Sequence, residues 1–175
     1  MAALIGAAGL ACGYAAADTP TFPDPALDAP LTQTKAEDSL VLAGGCFWGV
    51  QAVFQRVKGV SQATAGYAGG AASTAHYEMV GTGNTGHAES VRVVFDTSQI
   101  TPGQILKVFF SVAHDPTQLD SQGPDKGTQY RSAIFYNREE QKKIAEAYIE
   151  QLQKAKVFSK PIATKVEPLK EFYEA

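Results

Sequence analysis

The chain has 175 residues, 18 acidic and 15 basic side chains and a formal charge of −3, so it is the size of one domain and has no basic excess with which to grip phosphates. That argues against nucleic acid as a partner, and a composition of 45% apolar and 19% charged residues argues against a disordered chain. The basic residues that do cluster, Lys142, Lys143, Lys154 and Lys156, alternate with Glu139, Glu140, Glu146 and Glu150 as on a solvated helix face.

Residues 1–17, MAALIGAAGLACGYAAA, carry no charged side chain and end in small residues before Asp18. They read as a secretory signal, which makes the expected location exported and periplasmic. Lipid attachment through Cys12 and a retained leader in the cytoplasm are the alternatives. The stretch is too short for a stable membrane span, which needs about 20 apolar residues. Residues 18–38 hold four prolines and no apolar periodicity, the composition of a flexible linker, and the domain is expected over 39–175.

Ser39–Ala43 is a short apolar run stopped by Gly44-Gly45 and reads as a buried strand. Val50, Val53, Phe54 and Val57 then recur at helical spacing up to Gly59, which places Cys46 at a strand-to-helix turn. Strands are expected over Val60–Tyr67 and around Val91–Phe95, with a glycine-rich loop over 68–87. Thr101-Pro102-Gly103-Gln104 has the hydroxyl, proline and glutamine of a helix start and should open a helix through Ala113. After a polar loop at 114–129 come a strand over Tyr130–Tyr136, a helix capped by Asn137 and Glu140 that turns Ile144, Ala147, Tyr148 and Leu152 inward, and a last strand over Ile162–Val166. The order β-α-β-β-α-β with a further α-β predicts an α+β fold: a ferredoxin-like core, helices packed on a mixed sheet and glycine-rich loops at the site.

Within GGCFWGVQAVF, the thiol of Cys46 stands where unpaired N–H groups and the positive end of a helix favour a thiolate. From the turn alone, a nucleophile and a small buried hydrophobe are equally good readings. Phe47 and Trp48 beside it would wall a space for a small apolar group such as a methyl. The three histidines show no metal-site spacing with the cysteines, so no metal is expected.

GCFWG after a strand, then GYAGG, HYE, TGHAESV, GTQYRS and EPLKEFY, in that order over about residues 40–174, resemble the A class of peptide methionine sulfoxide reductases. The resemblance implies that the thiolate of Cys46 attacks the sulfur of methionine S-sulfoxide, free or in oxidised peptides and proteins, releasing methionine and leaving a sulfenic acid. It implies Glu89 as the proton donor, a role for which burial would have to raise its pKa. It further implies that Tyr77 and Tyr130 hydrogen-bond the sulfoxide oxygen, that Asp125 orders a water or assists recycling, and that Phe47 and Trp48 hold the S-methyl group. His87 is expected to brace Glu89 or the loop, and His76 and His114 carry weaker signals. Many family members resolve the sulfenic acid with a second cysteine near the C-terminus; none stands there in this sequence. An external thiol reductant such as thioredoxin is therefore expected, with no other cofactor, acting on a monomer. Two other readings remain at this point: a peroxide-consuming thiol enzyme, and a module that binds oxidised methionine with little turnover.

Overall fold

The computed structural model describes residues 22–175, so the leader reading of 1–17 and the Cys12 alternatives lie outside the described residues. Its strands are β1 (Glu37–Gly44), β2 (Val60–Ala68), β3 (Ala88–Asp96), β4 (Ser121–Gln122), β5 (Asp125–Lys126), β6 (Ser132–Tyr136), β7 (Lys165–Pro168) and β8 (Phe172–Glu174). The helices are α1 (Phe47–Phe54), α2 (Tyr77–Val80), α3 (Pro102–Val108) and α4 (Glu139–Lys154). No helix among the described residues is long and apolar enough to cross a membrane.

Six strands form one sheet in the order β7-β6-β1-β3-β2-β8. Its four central strands, β6-β1-β3-β2, pair antiparallel throughout, as expected of a ferredoxin-like core, and the parallel β6-β7 pair makes the whole sheet mixed. β1 lies in the middle and is buried on both faces, which is why it reads as an unbroken apolar run. Leu40 and Leu42 face the helices with Val91, Val93 and Phe95 of β3 and with Phe54, Ile105, Phe109, Tyr148 and Leu152. Val41 and Ala43 face the other way, into a smaller cluster with Ala68, Ala88, Ala133 and Phe135 that Leu169 and Phe172 cover.

Four residue steps separate Pro168 at one sheet edge from Phe172 at the other. An extended chain of that length reaches about 14 Å. Five strand spacings in a flat sheet would need roughly 24 Å. The sheet is therefore curled, and side-chain contacts agree: a Cβ on Gly69, at the end of β2, would lie 3.6 Å from the Phe135 ring on β6, although two strands separate them in the sheet. Gly66 lets the returning chain pass close, since a Cβ there would stand 2.3 Å from the Tyr173 carbonyl oxygen.

Several local expectations meet a different outcome. Thr101 and Gln104 do form a reciprocal capping box with Pro102 in the first turn, yet the regular helix ends at Val108 and a π turn over Phe109–Ala113 follows. Asn137 does not cap α4 with its side chain; its backbone N–H donates to the Gln141 side chain instead, at 2.8 Å. Ala145 takes the fully buried place expected of Ala147. Tyr130 lies in a 3-10 turn before β6, the strand expected over Ile162–Val166 begins at Lys165, and β8 had no alternation long enough to reveal it.

The segment read as a flexible linker makes defined contacts from Phe22 onward. Pro23 accepts a hydrogen bond from the Tyr148 hydroxyl at 2.6 Å, Ala26 and Asp24 bond both polar atoms of the Gln151 amide, and Phe22 packs edge-on against Phe158. Asp28 accepts from the Gly103 N–H at 2.8 Å and from the Thr101 hydroxyl, so a residue outside α3 completes its N-terminal cap. Prolines remove chain freedom as readily as they break helices, and here they shape a strap. Asp28→Ala is expected to lower stability by about 1 kcal/mol, read as a lower urea midpoint with an unchanged denaturant slope.

Candidate active site

The chain leaves β1 through Gly44 and Gly45, and Gly45 turns it with φ +91°. Cys46 follows as the N-cap of α1, half-buried and with no capping bond from its own side chain. Two side chains clamp this turn. A Cβ on Gly44 would come within 2.9 Å of the His114 ring, and one on Gly45 within 2.6 Å of Gln122. Gln122 is itself locked, accepting from the Asp115 N–H and donating to the Asp115 carbonyl, both at 3.1 Å.

The first N–H of α1, that of Phe47, donates to Glu89 Oε2 at 3.0 Å. This bond sets the carboxyl of β3 against the same helix start that carries the Cys46 sulfur. Glu89 is 5% exposed. Burial, above all, raises its pKa; the Phe47 bond opposes this and the charge of Asp125 adds to it. The carboxyl therefore keeps its proton to higher pH than an ordinary glutamate.

Phenols surround the carboxyl. Tyr67 is paired with Glu89 across β2 and β3. Burial and then the Glu89 charge raise its pKa. For Tyr130, burial again comes first, followed by the charges of Glu89, Asp125, Tyr77 and Cys46. Glu89, Asp125, Tyr77 and Cys46 therefore lie within electrostatic reach of Tyr130, although the five come from five segments. Phe47 is buried, its ring 5.8 Å from both Tyr67 and Trp48, whereas Trp48 is 64% exposed at the rim. Tyr77 is also exposed, at 55%.

The sequence pattern of the peptide methionine sulfoxide reductase family matches residues 38–175. The chain belongs to that family. A relative named peptide methionine sulfoxide reductase MsrA 2, from Mesorhizobium japonicum, is 61% identical over 138 residues, covering 79% of this chain and 71% of its own. One of the same name from Synechocystis is 49% identical over 156 residues, covering 88% and 73%. Among solved structures, reduced Mxr1 from Saccharomyces cerevisiae is similar with a TM-score of 0.72 and 34% identity, over 83% of this chain and 86% of that one. Methionine sulfoxide reductase A of Corynebacterium diphtheriae follows at 0.67 and 35%, over 79% and 70%. The chain is thus an oxidoreductase that reduces methionine sulfoxide.

The two aromatics beside Cys46 take unequal places in this reductase: Phe47 is buried in the core and Trp48 is exposed. His87 braces the loop, accepting from the Gly70 N–H at 3.2 Å through Nδ1 and reaching the Ala71 carbonyl at 3.0 Å through Nε2. Sequence reasoning missed Tyr67, whose signal was its place in GYAGG at the end of a strand. It also missed Gln122, which stands in a polar loop with no periodicity.

His114 stacks on Phe109 at 4.1 Å and lies between the Phe109 carbonyl, 3.1 Å from Nδ1, and the Ser132 hydroxyl, 2.7 Å from Nε2. A carbonyl only accepts, so Nδ1 carries a hydrogen; that bond favours the charged ring, and burial outweighs it. Burial is the main cause that brings its pKa down to about 4. The unfolded chain takes up this proton near pH 6.5 and the folded one resists it. The stabilisation is complete above pH 6.5 and is lost as the pH falls toward 4, by up to about 3 kcal/mol. Urea unfolding at steps between pH 7.5 and 4 should show this loss, and His114→Gln should flatten it.

Proposed function

We propose that the reductase acts on methionine S-sulfoxide, free or in oxidised peptides and proteins, with Cys46 as nucleophile and Glu89 as proton donor. The observation that carries this reading is the Phe47 N–H bond to the buried Glu89 carboxyl, one residue from the thiol. Cys46 stands at the N-cap of α1, where the positive end of the helix suits an anionic nucleophile. The Cys46 sulfur attacks the sulfoxide at its own sulfur, and Glu89 gives its proton to the sulfoxide oxygen. The protonated oxygen then moves from the substrate sulfur to Cys46: the substrate S–O bond and the transient S–S bond break, and an S–O bond forms on Cys46 as a sulfenic acid. The electron pair given up by the thiolate leaves with methionine, which is the reduced product.

Tyr77 and Tyr130 supply O–H donors for the oxygen without ionising, and the exposed Trp48 ring, backed by Phe47, receives the S-methyl group. Asp125 acts through charge: it helps keep Glu89 protonated. Recycling falls to an external thiol, which attacks the sulfenic sulfur and expels water; a second thiol of the reductant then frees Cys46 as the mixed disulfide breaks. A thioredoxin-like dithiol fits that step. A structurally similar protein, Mxr1 of Saccharomyces cerevisiae, has been solved in complex with Trx2, at a TM-score of 0.52 and 25% identity. Residues 1–17 as an export signal would put this exchange outside the cytoplasm, and the intact mass of the protein from its host compartment tests that.

Cys46→Ser should abolish reduction of the S epimer, and full activity in that variant would sink the proposal. Glu89→Gln should lower kcat by about 10²–10⁴-fold, the usual worth of a positioned acid. Because the acid must be protonated, kcat/KM should fall as the pH rises through the raised Glu89 value, and Asp125→Asn should move that fall to lower pH.

A further inference from the structure

The segment Thr128-Gln129-Tyr130-Arg131 turns one side chain, Tyr130, toward the site and gives its other three to the loop between β2 and β3. The Thr128 hydroxyl donates to the Gly83 carbonyl at 2.6 Å, Gln129 Nε2 to the Gly81 carbonyl at 3.1 Å, and Arg131 Nη2 to the Gly86 carbonyl at 3.0 Å. This loop carries α2, a single turn that begins with Tyr77 and in which Val80 is the one buried side chain. The Gly81 N–H closes that turn on the Tyr77 carbonyl at 2.9 Å, so the carbonyl that Gln129 holds belongs to the residue ending the Tyr77 turn. Tyr77 is more than half exposed and has little packing of its own to fix it.

Gln129 is 4% exposed, and its Oε1 meets no donor among the described residues. The oxygen is pressed against two glycines: a Cβ would lie 2.2 Å from it on Gly127 and 3.1 Å from it on Gly83. A buried acceptor without a donor is unfavourable. An apolar side chain of similar size would avoid that loss. What the amide adds is the single bond from Nε2 to Gly81.

We infer that Gln129 is a positioning residue for the sulfoxide site: through Gly81 it holds the Tyr77 phenol opposite Tyr130. The inference rests on the proposed role of Tyr77 in binding the sulfoxide oxygen. The two tyrosines come from loops far apart in the chain, and the three carbonyl bonds, of which that from Gln129 is the least exposed, fix the gap between them. Gln129 touches no reacting atom.

A double-mutant cycle tests this with a peptide methionine S-sulfoxide as substrate and dithiothreitol as reductant. Tyr77→Phe alone tests the underlying reading, and it should lower kcat/KM. Gln129→Leu should lower kcat/KM about tenfold in the wild-type background and less than twofold in the Tyr77→Phe background, while alkylation of Cys46 by iodoacetamide keeps its rate. A loss of equal size in both backgrounds overturns the inference even if Tyr77→Phe behaves as expected, and so does full activity in Gln129→Leu. If Tyr77→Phe has no effect, the underlying reading fails and the inference with it. Should Gln129→Leu not fold, Thr128→Val, which removes the exposed bond to Gly83, runs the same cycle. A smaller loss that vanishes in the Tyr77→Phe background supports the inference, and one that persists, or no loss at all, overturns it.

Discussion

One hydrogen bond organises this molecule's chemistry: the N–H of the first residue of α1 given to a carboxyl buried on β3. A helix start offers several N–H groups and a positive field, and here two acidic groups share it. Cys46 is half-buried there and the carboxyl of Glu89 is buried. Burial outweighs the bond for the carboxyl, whose pKa is raised.

The rest of the fold keeps that pair in register. Tyr67 and Glu89 are cross-strand neighbours, so the position of the acid is set by sheet pairing rather than by a loop. The thiol turn is wedged between the His114 ring and Gln122, with no space for a side chain on either glycine. Curling of the sheet brings β8 across to the far edge, where Tyr173 lies opposite Tyr67 and edge-on to His87 at 5.7 Å. Loops then need only supply the exposed groups, and the two that do so are joined through Gly81, Gly83 and Gly86.

Much of this was legible in the linear chain because it depends on short-range rules. The two-sided burial of β1 shows as consecutive apolar residues, the stripe of α1 as helical spacing, and the capping box of α3 as three residue types in order. The motifs from GCFWG to GTQYRS carried the family resemblance. What escaped was of another kind. The strap at 22–36 has the proline content of a linker, and its partners on α3, on α4 and at Thr97 and Phe158 tie it to the domain. β8 is three residues long, too short for a period to appear.

The sequence by itself determined the strand and helix order, the thiol at a helix start and the family, since each follows from residue type and local spacing. Only the tertiary structure decided which groups meet. Glu89 has a raised pKa because it is buried, Gln122 matters because it lies over Gly45, and Phe47 and Trp48, adjacent in the chain, divide between core and surface. Solvation and contact across the fold are properties of pairs distant in sequence, and no local pattern encodes them.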